Sequence, residues 1–178
     1  MENFIVRDTI EELTKLINWK EKRKQKIPNH GIGFACTTCP SGTRVRGHWA
    51  SAAAVKVSEE GDVTVIQGGT EIGQGSDTVL AQIAAEVLGL RLEDITVATE
   101  DTETSILEQG VYSSRTTVWA GNAVKVAAED ARRQLAEVAS KMFEIPAGDI
   151  IFKDKKVYFK DNPSIFARMH IHPPNSIS

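Results

Sequence analysis

Between Val63 and Leu88 the chain changes its periodicity inside a glycine-dense stretch. Apolar residues alternate from Val63 to Ile66, the period of a strand. Gly68-Gly69-Thr70-Glu71-Ile72-Gly73-Gln74-Gly75-Ser76-Asp77-Thr78 follows. Val79, Leu80, Ile83, Ala84, Val87 and Leu88 then fall on one helical face, and Gly89 suits the position just past a helix end. Glycines let such a strand-to-helix loop approach another group closely. The first N–H groups of the helix have no intrahelical partner, and the helix dipole adds partial positive charge there. The expectation is a seat for phosphate or another anion, the alternative being a turn that holds only water. The loop is neither a P-loop nor a dinucleotide fingerprint: no Lys-Ser/Thr pair follows it and its spacing is not GxGxxG.

Around this unit the remaining pattern predicts an α+β fold, because strands and helices mix without strict βαβ alternation. Asp8-Thr9-Ile10-Glu11 resembles a capping box, opening a first helix that ends near Lys22. Pro28-Asn29-His30-Gly31 breaks the chain, and Gly31 to Thr38 is expected as a strand. Ala50 to Ser58 and Val63 to Gln67 are predicted to form a hairpin through Glu59-Glu60-Gly61-Asp62. Ile95 to Ala98 is a short strand, and residues 99 to 113 make a polar connection long enough to suggest function. The longest helical signal runs from about 114 to 143, with Ala120, Val124, Ala127, Ala131, Leu135, Val138 and Met142 at helical spacing. Ile150 to Phe152 and Val157 to Phe159 form a terminal hairpin. The expected architecture is thus a mixed or antiparallel sheet packed on two main helices (about 77–88 and 114–143). Residues 1–28 supply an N-terminal helix and linker, 29–161 the α+β domain, and 162–178 a poorly ordered tail.

Composition sets bounds on function. A net charge of −3 gives no global attraction to nucleic acid or to an anionic membrane. The basic run at Lys20, Lys22, Arg23, Lys24 and Lys26 reads as a solvated helix end or linker. No apolar run is long enough to span a bilayer and no export signal opens the sequence. Cys36 and Cys39 are too few for a disulfide framework, which points to a reducing, cytoplasmic setting.

A second chemically loaded segment, Gly110-Val111-Tyr112-Ser113-Ser114-Arg115-Thr116-Thr117, opens the long helix. Ser113, Ser114 and Thr116 offer hydroxyls and Arg115 a forked donor suited to phosphate, although serine capping alone would also account for the hydroxyls. Two such helix starts in one small chain suggest a polyanionic or pterin-like ligand held between them. Cys36-Thr37-Thr38-Cys39 is a lone C-x-x-C followed by a loop, so a thiol-redox or zinc role would need distant histidines such as His30 or His48. His170 and His172 in the tail are a further possible metal pair, with a disordered end as the alternative. Glu71, Asp101 and Glu108 are acids beside the two loops and are expected to be solvated; none is assigned as a general base.

Taken together, Gly69 to Ser76 with Gln82-Ile83-Ala84-Ala85-Glu86, and Asp101-Thr102 with Gly110 to Thr117 and Gly121-Asn122-Ala123-Val124, resemble the molybdopterin-binding large subunit of the xanthine dehydrogenase and aldehyde oxidase family. Gly31 to Cys36 and the region around Trp19, Glu21 and Lys22 share the likeness, which covers roughly residues 5 to 160. The resemblance implies a molybdenum–pterin cofactor, in bacteria often a cytosine dinucleotide, and hydroxylation of a heterocycle or aldehyde or reduction of an aromatic thioester. Some relatives oxidise carbon monoxide. It implies iron–sulfur and flavin (FAD) groups on partner subunits. By position, Gly73, Gln74, Gly75 and Ser76 would lie against the cofactor, and Ser113, Ser114, Arg115 and Thr116 would contact its pterin and phosphate. The family usually has proline near Ile106 and aspartate near Glu108. Its catalytic glutamate lies in a C-terminal segment this sequence lacks, so the chain is expected to be a domain or fragment without activity alone, partnered by the remaining large-subunit segments. Self-association through bare interfaces, as a non-catalytic interaction domain on the same scaffold, is the alternative.

Overall fold

A computed structural model describes residues 5–37, 41, 50–98, 101–162, 164 and 166–168. The chain divides into two compact units, Met1–Cys39 and Pro40–Ser178, so the break falls after the 28/29 boundary read from sequence. The first unit carries α1 (Val6–Leu16) and α2 (Trp19–Lys24). Asn18, in the left-handed region at φ 51°, separates them, so the single helix expected to run to Lys22 is broken. The predicted capping box is absent. The helix begins at Val6, Asp8 sits inside its first turn, and the Thr9 hydroxyl donates to Ile5 O (2.9 Å). A helix start six residues into the sequence outran the capping signal, because α1 is amphipathic from Val6 onward. Residues 31–37 form no strand; Phe34 instead packs edge-on against Trp19, with ring centroids 4.9 Å apart.

The second unit is built around a three-stranded mixed sheet in the order β1 (Ala53–Val57), β2 (Val63–Gln67), β3 (Ile95–Ala98). The β1–β2 hairpin is antiparallel, with Val55 opposite Val65. β2 and β3 are parallel, with Ile66 opposite Ala98, and α3 (Ser76–Leu88) is the crossover between them. Val63, Val65 and Gln67 all point into the buried face of β2, while the intervening residues are partly covered. Against that face pack α3, through Leu80, Ala84 and Leu88, and α4 (Thr116–Phe143), through Ala120, Val124, Ala128 and Ala131. Small residues let the two helices approach closely. A Cβ on Gly121 would lie 2.9 Å from Ile83 Cδ1. The α4 stripe drifts from its predicted course in the second half: Val138 and Met142 are exposed, and Ala139 is the buried residue.

That second half of α4 meets a smaller antiparallel sheet, β4 (Ile150–Lys153), β5 (Lys156–Phe159) and β6 (Phe166–Arg168). Ala139, Ile150, Phe152 and Val157 form its core. β6 lies within the stretch 162–178 read from sequence as a poorly ordered tail, and there Phe166 pairs with Tyr158. Gly89 joins the two cores. It ends α3 at φ 68°, and its Cα lies so close to Phe152 that a Cβ would be 2.2 Å from Phe152 O. Fold class stands as α+β, with two small sheets rather than one.

Candidate functional site

Because β2 and β3 run parallel and side by side, the loops that leave them emerge at the same edge of the sheet. One is the Gly-rich loop into α3 and the other the long connection into α4. The C-terminal edge of parallel strands is where α/β folds gather ligand loops. The long connection then turns back across the edge: Glu108 bridges to Ser51, and Ala52 N donates to Leu107 O (3.1 Å). The two loops therefore touch at their bases. A Cβ on Gly68 would lie 2.0 Å from Ile106 O, and one on Gly69 would lie 3.5 Å from Val111 Cγ1. Only glycine at 68 permits that approach.

The Gly-rich loop is stabilised from within. Gln67, buried at the end of β2, donates from Nε2 to Gly69 O (2.7 Å), and its Oε1 accepts the Gly69 N–H. The Glu71 carboxylate accepts from Gly73 N (2.7 Å), Gly75 N (3.0 Å) and Asp77 N (3.2 Å), and from the Ser76 hydroxyl (3.3 Å). The Gly75 N–H does most to hold the Glu71 carboxyl below its ordinary range, helped by Asp77, Gly73 and Ser76 and opposed by partial desolvation. Two expectations need correction. Glu71 is engaged rather than merely solvated, and the Gly75 and Asp77 N–H groups at the α3 start are already satisfied by a carboxylate of the chain itself. The sequence carried a signal for this: an acid four residues before Gly75 can reach back over a helix start.

Gln74 is tied into the same knot. Its Oε1 accepts from Ile72 N (2.6 Å), and its Nε2 donates to Thr70 O (3.0 Å) and the Ser76 hydroxyl (2.8 Å). Ser76 is buried, so its hydroxyl serves the loop. Gly73 (φ 92°) and Gly75 (φ 77°) are different: a Cβ on either would meet nothing within 4 Å. Bare backbone there faces open space.

At the α4 start, Ser113 and Ser114 both take φ 52°, a left-handed conformation that costs a serine of order 1–3 kcal/mol. Ser114 is exposed and its hydroxyl donates to Ser41 Oγ (3.5 Å). No side chain caps α4 and no acid lies in its first turn, where Thr116 is the first helical residue. Arg115 does not sit as the sequence led one to expect. Its side chain is 2% exposed and its guanidinium faces inward. It pairs with Glu108, whose side chain is 5% exposed, and donates to Gly110 O (2.8 Å), Ala50 O (3.2 Å) and Ser51 Oγ (3.3 Å). Tyr112 and Trp119 rings flank it. The guanidinium thus fastens the second loop to the β1 side of the edge. Glu108, expected to be solvated, is buried, and its Oε2 has no hydrogen-bond partner among the described residues.

With this geometry established, comparison with known proteins identifies the family. Residues 11–172 match the model of the molybdopterin cofactor-binding domain. The chain belongs to that family. It is 34% identical over 128 residues to the putative xanthine dehydrogenase molybdenum-binding subunit of Escherichia coli K12, covering 68% of this chain and 17% of the relative. It is 44% identical over 96 residues to the 6-hydroxypseudooxynicotine dehydrogenase complex subunit gamma of Paenarthrobacter nicotinovorans, covering 54% and 12%. Among solved structures, quinoline 2-oxidoreductase from Pseudomonas putida 86 superposes with a TM-score of 0.63 at 29% identity, over 70% of this chain and 17% of that one. The chain thus spans under a fifth of the length of the curated relatives it matches.

The chemistry of the edge fits the family's pterin group: one loop carries bare glycine backbone at 73 and 75, and the other an exposed Ser114 at a helix start without a cap. The thiol and metal alternatives gain no geometry. Cys36 is free and exposed, Cys39, His48, His170 and His172 lie outside the described residues, and no cluster of three or more metal-ligating side chains occurs among those described. No helix among the described residues is long and apolar enough to cross a membrane.

Proposed function

We propose that this chain is the cofactor-holding part of a molybdenum hydroxylase-type oxidoreductase, gripping a molybdenum–pterin cofactor between the Gly-rich loop and the α4 start. The observation that carries this reading is the shared strand edge, which sets Gly68 against Ile106 and Gly69 against Val111. Gly73, Gln74, Gly75 and Ser76 form one wall, with the two glycines as the face a flat ring can reach. Ser113, Ser114 and Thr116 form the other. The phosphate of the cofactor, in a cytosine dinucleotide or a simpler form, goes to the uncapped α4 start, whose first N–H groups and dipole favour an anion. Arg115 supports that loop from beneath rather than meeting the ligand, since its guanidinium is spent on Glu108 and three neighbouring oxygens. When bound, the cofactor supplies the two-electron chemistry that hydroxylates a heterocycle or aldehyde or reduces an aromatic thioester.

The rest of the machinery lies on partners. The remaining large-subunit segments would cover the apolar side chains left bare, Val118 at 56% and Val126 at 65% exposed on α4 among them. Iron–sulfur and flavin subunits would carry the electrons, in the cytoplasm, and the chain by itself would be inactive. Bare apolar surface would then favour self-association whenever partners are missing. The test is metal content of the complete protein carrying Ser114→Trp, whose indole would fill the space proposed for the ligand. Molybdenum should fall to a small fraction of the wild-type level while the folded structure, read by circular dichroism, is retained. Full molybdenum occupancy in that variant refutes the reading.

A further inference from the structure

We propose that Glu71 is the resident anion of the Gly-rich loop, a positioning residue whose carboxylate sets the backbone from Gly73 to Asp77 in the shape that meets the cofactor. This deepens the cofactor reading above and rests on it. Four donors converge on the carboxylate, three of them backbone N–H groups within 2.7–3.2 Å and one the Ser76 hydroxyl. An ionised carboxylate offers about four lone-pair sites, so this set saturates it. Two of these donors, the Gly75 and Asp77 N–H groups, lie at the α3 start, where a phosphate would otherwise bind. An incoming phosphate could take them only by displacing the Glu71 carboxylate, a like charge held beside the same position.

The loop therefore meets its ligand through shape, not charge. Its glycines at 73 and 75 hold positive φ angles in open space, a conformation the chain keeps only while something ties its ends. Glu71 ties the far end to α3, and Gln67 ties the near end to β2. Gln74 is oriented through Ser76, which joins its amide to Glu71. Removal of the Glu71 carboxylate should release the Gly73, Gly75 and Asp77 N–H groups and the Ser76 hydroxyl together.

The test uses backbone amide exchange by NMR on the full chain without cofactor, and molybdenum content of the complete protein. In Glu71→Ala, exchange at Gly73, Gly75 and Asp77 should quicken at least about tenfold, with Val65 and Leu80 unchanged, and added formate should slow the three again by refilling the vacated position. Wild-type exchange at those three amides overturns the proposal. Should Val65 and Leu80 quicken as well, Glu71→Gln decides, because it keeps one carbonyl acceptor and the side-chain volume. It should retain the core and shift the three amide resonances; unshifted resonances overturn the proposal. Wild-type molybdenum content in the complete protein carrying Glu71→Ala, despite a loosened loop, also overturns it. The exchange arm needs no cofactor, so its outcome stands apart from the Ser114→Trp result.

Discussion

Replacing Arg115 by methionine should be among the most damaging single changes outside the apolar core. The guanidinium is 2% exposed and its partner Glu108 5% exposed, so solvent cannot screen or replace the interaction. Removal leaves the Glu108 carboxylate charged in a dry site where Oε2 already has no partner. It also strips a donor from Gly110 O, Ala50 O and Ser51 Oγ. Breaking a buried pair from one side costs about 3–5 kcal/mol, a large share of the roughly 5–15 kcal/mol that holds a typical domain together. Changing both partners, as Arg115→Met with Glu108→Leu, removes the stranded charge and leaves only the backbone acceptors unmet. The double variant should therefore be more stable than Arg115→Met alone, with a coupling of about 2 kcal/mol or more. Urea unfolding followed by tryptophan fluorescence, with the Trp119 ring 5.8 Å from the guanidinium, measures Arg115→Met, Glu108→Leu and the double variant. A cost below about 1 kcal/mol for Arg115→Met, or strictly additive single effects, would refute the buried-clamp account.

Leu80→Ala should cost roughly 2–5 kcal/mol in the same assay, because Leu80 is fully buried between β2 and α4 and the small residues around it cannot close the gap. Gly89→Ala should cost about 2 kcal/mol, from the left-handed φ of 68° and the contact with Phe152 O, and lower Tm by roughly 4–8 °C; an unchanged Tm would show that the two cores are not joined there. Glu71 gives a pH signature. Its folded carboxyl titrates below its unfolded value, so its stabilisation is complete above the unfolded value and is lost as pH falls through the folded one. The stability gap between wild type and Glu71→Gln should accordingly shrink on acidification from neutral pH, and a gap independent of pH would contradict the four-donor geometry.

Where the sequence spoke through periodicity it was legible. The β1–β2 hairpin, α3, β3, α4 and the β4–β5 hairpin all fall where alternation or helical spacing put them, because each buries one face against one of the two cores. What failed lacked that physics. β6 is three residues long, too short to show a period, and residues 31–37 alternate without forming a ladder. The left-handed turn at Asn18 interrupts an amphipathic run that carries no Gly or Pro to announce it. At the site, residue type located both loops but not the direction of the charges. Glu71 and Glu108 looked like surface acids and Arg115 like an exposed phosphate fork, since burial of a charge depends on a partner supplied by the fold: Arg115 finds Glu108 seven residues upstream, and Glu71 finds the α3 start. The glycines told more, because close approach and positive φ leave few other residues possible at Gly68, Gly73 and Gly75.

A crystal structure of the complete protein with its molybdenum–pterin group bound tests the central claim most directly. The pterin should lie across the bare backbone of Gly73 and Gly75, with its phosphate at Ser113 to Thr116 and Glu71 still bonded to the Gly75 N–H. A pterin seated away from this strand edge, or a phosphate on the Gly73 and Gly75 N–H groups with Glu71 swung out, would contradict it.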